Sequence, residues 1–204
     1  MMEQRTTEWH TARLGKVTAS RVADVIAKTA KGYGASRANL MADLIVERLT
    51  GQPASTFTNA HMEWGTEQEP HARAAYSART GELVEEVGFI QHPRLEHAGA
   101  SPDGLVGDEG LVEFKCPATS THLDTLLAGE VPSKHLAQIQ WQMACTGRKW
   151  CDFVSYDPRL PEHLRMFVKR IPRDDKRIAE LEAEVQKFLV ELDEKLKKLE
   201  NLHG

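Results

Sequence analysis

The chain has 204 residues, 41% hydrophobic and 27% charged, the balance of an ordinary globular protein and not of an intrinsically disordered one. Its formal charge is −4, from 26 basic and 30 acidic side chains, which argues against wrapping nucleic acid over the whole surface and leaves room for a locally basic channel. No apolar run approaches the ~20 residues of a membrane span, residues 1–8 lack the apolar stretch of a secretory signal, and Cys116, Cys145 and Cys151 show no zinc spacing and read as reduced cytosolic thiols.

Residues 9–27 predict a short lead-in and then a helix: Thr18, Ala19 and Ser20 offer N-caps, and Val22, Val25 and Ile26 share one face. Residues 28–35 hold two glycines and local basic charge and predict a loop. Ser36 can cap a second helix with Leu40, Leu44, Ile45 and Leu49 as its apolar stripe; Gly51 closes it and Pro53 prevents its resumption. After a loop over 52–59, a third helix runs from Glu69 or Pro70 to Arg79, with Gly81 just past its end. Residues 83–90 predict a strand, or two broken at Gly88, and 98–101 a further extended piece. Leu105-Val106 and residues 111–116 flank Gly107-Asp108-Glu109-Gly110, the pattern of a β-hairpin, and Pro117 ends its second strand. A helix over 134–145 stops at Gly147, and strands follow over 151–156 and 164–171. From Asp174 the charge density rises. There Ile178, Leu181, Val185, Phe188, Leu189, Leu192, Leu196 and Leu199 form a stripe at spacing three and four, an amphipathic helix over 174–202 packed on its own domain, with a partner-helix or oligomer role as the alternative. The order predicts an α/β fold, a central mixed β-sheet flanked by helices, in one domain spanning 1–204.

The informative stretch is Ser101-Pro102-Asp103-Gly104 followed by Leu111-Val112-Glu113-Phe114-Lys115-Cys116-Pro117. On a strand, alternation puts Glu113 and Lys115 on one face and Val112, Phe114 and Cys116 on the other. The hairpin returns Asp103 to the same neighbourhood. Two carboxylates converging beside a lysine suit a hard cation, Mg²⁺ or in its place Mn²⁺, and such a site supports phosphodiester hydrolysis. Lys115, set between apolar neighbours, is expected to have a lowered pKa that would let it act as a base. The bland alternative is an ordinary Asp-Gly turn beside an exposed ion pair.

Pro102-Asp103 with Glu113-x-Lys115 resembles the PD-(D/E)xK nuclease superfamily. The longer run is similar, more narrowly, to the lambda exonuclease family of YqaJ-like viral recombinases. Arg13 to Ser20, Trp64-Gly65-Thr66-Glu67-Gln68-Glu69, Ala137-Gln138-Ile139-Gln140 and Tyr156-Asp157-Pro158-Arg159 extend that resemblance from about Trp9 to about Arg170. It implies a restriction-endonuclease-like core with the active site at the sheet edge. Asp103, Glu113 and the backbone carbonyl of Phe114 would be metal ligands, and Glu69 would serve a second ion. Lys115 would be the catalytic lysine, with Gln138 beside it. Arg13, Thr18 and Ser20 would hold a 5′-terminal phosphate, a guanidinium and hydroxyls being suited to it. Thr18 and Ser20 can equally be caps, and Thr66-x-x-Glu69 a capping box that Pro70 fits poorly. Met62 would be an apolar wedge at the DNA end, or else a loop residue on the core. Trp64 and Trp141 read as core aromatics. Gln142 stands where related RecB-like nucleases place a tyrosine, which leaves the lambda-like branch.

The resemblance implies a Mg²⁺-dependent 5′-to-3′ exonuclease, with two ions per site, that degrades one strand of linear double-stranded DNA to mononucleotides and leaves a 3′ overhang. It further implies a homotrimeric ring, a single-strand annealing protein as partner, phage or prophage origin, and a place in the bacterial cytoplasm. Lys28, Lys31, Arg37 and Lys134 would be channel contacts. The alternatives are a structure-specific or restriction-type endonuclease and a non-catalytic DNA-end binder.

Overall fold

A computed structural model describes residues 2–54 and 59–203. Helix α1 (Thr7–Arg13) leads into the short strand β1 (Val17–Thr18), a single 3-10 turn and helix α2 (Val22–Ile26). Strands β2 (Lys28–Thr29) and β3 (Gly32–Tyr33) pair as a hairpin where the composition predicts a loop. Helix α3 (Ala35–Thr50) ends at Gly51 in the left-handed conformation, as expected of a helix C-terminus. The loop predicted over 52–59 lies in part, at 55–58, outside the described residues.

Helix α4 (Ala60–Thr80) begins about ten residues before its predicted start. The Asn59 side chain caps it by accepting from Met62 N, and Pro70 lies inside it, so Pro70 is not an N-terminal residue and Thr66-x-x-Glu69 is not a capping box. The short strands β4 (Val84–Glu85) and β5 (Ile90–Gln91) are the two pieces allowed by Gly88. They are followed by β6 (Ala98–Ala100), β7 (Gly104–Val106) and β8 (Gly110–Lys115). Helix α5 (Thr119–Ala128), not predicted, precedes α6 (Ser133–Thr146), β9 (Trp150–Tyr156), β10 (Met166–Pro172) and the long α7 (Asp175–Glu200).

Five strands form the main sheet in the order β10-β9-β8-β7-β4. The β8–β9 pair is parallel and the other three are antiparallel, so the sheet is mixed. Strand β8 is the middle strand, hydrogen-bonded on both sides; the predicted position at the sheet edge is therefore corrected to the C-terminal end of the central strand. A smaller sheet, β1-β6-β5, stands beside it.

Alternation along β8 sorts its side chains between two layers. Val112 and Phe114 pack with Ala72 and Tyr76 of α4 on one face. Leu111 packs with Ile139 and Met143 of α6 on the other. Stripe residues of α7, from Leu181 to Leu192, enter a third cluster with α2, α3 and Trp141 of α6. That amphipathic helix therefore buries its apolar face against its own chain, while Leu199 near its end is exposed.

Candidate active site

Asp103 precedes β7, and at the next residue, Gly104, an added Cβ would lie 2.1 Å from Val84 Cγ1, so a larger residue there would force the Val84 side chain aside. Asp103 Oδ2 accepts from the backbone N–H of Phe114 at 2.7 Å, which ties the turn to β8. Glu113 and Lys115 share the α6 face of β8. The Lys115 ammonium pairs with Glu113 Oε1. From α6, Gln138 Nε2 donates to the same oxygen, and Gln142 Nε2 donates to Glu113 Oε2 at 2.6 Å. Glu113 is thus no exposed strand residue: it is 1% exposed and satisfied by an ammonium and two amides.

Burial, and then the Glu113 carboxylate, push the Asp103 carboxyl well above the usual range. Burial works against the Lys115 ammonium, but Glu113 and Asp103 outweigh it and hold its pKa above the ordinary value. This reverses the expectation of a lowered lysine pKa; the apolar neighbours expected around it are outweighed by carboxylates. Lys115 is a charged donor here and not a ready base.

A cavity of about 630 Å³ opens above the end of β8, lined by Arg5, Met62, Glu69, Asp103, Lys115 and Lys134 among others. A smaller one of about 180 Å³ shares Arg5, Glu69, Asp103 and Lys115, and adds Arg13, Thr18, Ser20, Glu113 and Gln138. The predicted metal, lysine and phosphate residues therefore meet at adjoining cavities, although they come from α1, β1, α4, β8 and α6. Glu69 projects from the middle of α4, where Arg5 donates to it at 2.5 Å and Arg73 at 3.3 Å. The oxygen donors Asp103, Glu113 and Glu69 suit a hard divalent cation, and the raised Asp103 pKa marks a field that positive charge would relieve. Among the described residues no three His, Cys, Asp or Glu side chains form a ready-made cage; the Glu113 oxygens are taken up by Lys115, Gln138 and Gln142.

The Arg13 guanidinium lies 3.9 Å from the centroid of the Trp9 ring, and Trp9 Nε1 donates to Ser101 Oγ at 2.9 Å. Burial, opposed by Glu47, lowers the Arg13 pKa to about 10, so it stays charged at neutral pH. Thr18 makes no capping hydrogen bond; its hydroxyl lies 3.2 Å from that of Ser20. Met62 sits in the first turn of α4, 53% exposed at the wall of the large cavity, and so is not a residue on the core. Trp141 is a core aromatic, and Trp64 is partly buried beneath Arg159. Of the basic residues expected in a channel, Lys134 lines the large cavity. Arg37 does not fit: it is buried and paired with Glu191 of α7 at 2.7 Å. Lys28 pairs with Glu184 of the same helix at 2.9 Å.

Residues 8–149 match the YqaJ-like viral recombinase domain. The chain belongs to the YqaJ-like viral recombinase family. Among solved structures it is similar to an alkaline exonuclease from Laribacter hongkongensis, at 57% identity over 96% of each chain with a TM-score of 0.90. A second structure of that exonuclease, in complex with dAMP, matches at 57% identity and a TM-score of 0.90 over 95% of this chain and 96% of that one. A phage-related exonuclease from Haemophilus somnus 129PT shares the fold, with a TM-score of 0.70 at 16% identity over 90% of this chain and 96% of that one. No curated protein resembles the chain closely enough to count as a match.

Sequence reasoning singles out neither Arg5 nor Ser155 in this YqaJ-family chain, and it notes Gln142 without giving it a role at the site. Arg5 lines both cavities and grips Glu69, but stands in a polar lead-in with no pattern to mark it. Gln142 lies one helical turn after Gln138, and that i, i+4 spacing on one face was the signal available. Ser155 pairs in register with Lys115 and is held by buried His122, whose Nδ1 lies 2.7 Å from its hydroxyl. By contrast Gln140 points away, with Nε2 on Pro172 O and Oε1 on Asp174 N, and secures the approach to α7.

Proposed function

We propose that this chain is a DNA exonuclease that removes nucleotides from the 5′ end of one strand of linear duplex, leaving a 3′ overhang for recombination. The observation that carries this reading is the sharing of Asp103, Glu113 and Lys115 by a cavity that also holds Arg13, Thr18 and Ser20. A terminal phosphate held by the second group would sit beside the first. That arrangement suits hydrolysis at an end and not within a strand. Family membership and the alkaline exonuclease at 57% identity support the coarse reading. The dAMP complex of that relative contains a mononucleotide of the class such hydrolysis would release.

Asp103, Glu113 and the Phe114 carbonyl would hold Mg²⁺, with Mn²⁺ as a substitute, and Glu69 would serve a second ion. The bound cation would supply a polarised phosphoryl oxygen and a water of lowered pKa. Water oxygen attacks phosphorus, the P–O3′ bond breaks, and the 3′ oxygen leaves on the terminal nucleotide with a proton. The strand left behind carries a new 5′ phosphate for Arg13, Thr18 and Ser20. Lys115, charged and donating to Glu113, would offset negative charge growing on the phosphoryl oxygens. Gln138 would orient the water or the phosphate, and Met62 would wedge the terminal base pair.

The reading extends to one nuclease domain over the whole chain, a homotrimeric ring around duplex DNA, an annealing protein as partner, and phage or prophage origin in a bacterial cytoplasm. Among the described residues no helix is long and apolar enough to cross a membrane. Linear and covalently closed circular duplex, incubated separately with Mg²⁺, test the central assignment. Loss of the linear form with the circle intact supports an exonuclease. Cutting of the circle would favour an endonuclease, and no release from either would favour an end-binding protein.

A further inference from the structure

Gln142 is fully buried, and its amide reaches a single carboxylate. Its Nε2 donates to Glu113 Oε2 at 2.6 Å. Its own Oε1 is buried without a hydrogen-bond partner among the described residues. An unpaired buried amide oxygen costs stability that an apolar residue of equal volume would not. Glutamine at this position therefore needs a reason beyond packing, and among the described residues Glu113 is the one group its donor serves.

The two glutamines divide the carboxylate between them. Gln138 holds Oε1 together with Lys115 and lines the small cavity. Gln142 holds Oε2 and lines neither cavity near the site. A glutamate turns easily about its last side-chain torsion, whose preferences are broad. Pinning Oε2 to α6 removes that freedom.

We propose that Gln142 is a positioning residue that fixes which oxygen of Glu113 faces the cavity: it keeps Oε2 inward, so that Oε1, held by Lys115 and Gln138, is the oxygen that would be offered to a divalent cation. The proposal rests on the nuclease reading above. It assigns this residue a role through Glu113, with no contact to DNA. Groups that orient a ligating carboxylate typically alter metal affinity when removed.

The test uses the full chain freed of metal and titrated with Mn²⁺ alone, followed by calorimetry. Gln142→Met keeps the volume and removes the donor. Its Mn²⁺ affinity should fall about tenfold or more, and the Mg²⁺ concentration giving half-maximal nucleotide release should rise by a similar factor. Gln140→Met, on the same helix but bonded to Pro172 O, should leave Mn²⁺ affinity unchanged. A folded Gln142→Met protein that binds Mn²⁺ within about twofold of the parent, on the same scale of metal-affinity effects, would overturn the proposal. Should that variant fail to fold, Gln142→Asn, one methylene shorter, carries the same expectation. Failure of both to fold would assign Gln142 to stability and also overturn it. A parent protein that binds no Mn²⁺ and releases no nucleotides would instead overturn the nuclease reading.

Discussion

The Asp103 carboxylate and the Phe114 backbone N–H are joined by a 2.7 Å hydrogen bond across eleven positions of sequence. This bond closes the motif: it sets the turn carboxylate against the strand that carries Glu113 and Lys115. The same carboxyl is pushed up by burial and by Glu113. A folded-state pKa above the unfolded one means that ionising Asp103 weakens folding, increasingly as pH rises from the unfolded value through the folded one. Asp103→Asn keeps an acceptor for Phe114 and removes the charge. Nucleotide release should be lost, while the melting temperature at pH 8 in chelator equals or exceeds that of the parent. A clear drop in melting temperature would contradict this balance.

Lys115 is held charged between carboxylates, so its loss should strike the reaction and not the grip on DNA. Lys115→Ala is expected to lower nucleotide release by about a thousandfold, the scale of losing one transition-state charge donor. Duplex-end binding by fluorescence anisotropy should stay within about threefold, since one phosphate contact of many is a small share of the total. Hydrolysis surviving in this variant would remove the lysine from the mechanism.

Arg13 combines a charged fork with a cavity shared by the catalytic side chains. Arg13→Ala should reduce the preference for 5′-phosphorylated over 5′-hydroxyl duplex ends, compared by initial rates. An unchanged ratio would place the terminal phosphate elsewhere.

Met62 is half exposed at the wall of the large cavity. Met62→Ala should slow digestion of blunt ends and spare ends already frayed by terminal mismatches. Equal slowing on both would argue against a wedge.

Much of this site was legible because its chemistry is local. Asp103, Glu113 and Lys115 sit in one hairpin, where alternation and a Gly/Asp turn dictate geometry. The C-terminal stripe from Ile178 to Leu192 was equally plain, since buried positions recur at helical spacing. What sequence hid was nonlocal or against local preference. Pro70 lies within α4 although proline removes a helical N–H, so the helix start was misplaced by about ten residues. Helix α5 opens on Thr119, Ser120 and Thr121, which favour caps and turns, and it buries His122 and Thr125 while Leu123 and Leu127 stay exposed, so its apolar residues do not mark its buried face. The Lys115 pKa depended on carboxylates brought in by folding, and the Arg5–Glu69 pair on residues 64 positions apart.

The most direct test of the whole account is digestion of linear duplex carrying a separate label at each 5′ and each 3′ terminus, with and without Mg²⁺. The account predicts early release of both 5′ labels as mononucleotides, retention of the 3′ labels on lengthening single strands, and no release without the cation. Early release of the 3′ labels, internal fragments, or equal release in chelator would contradict it.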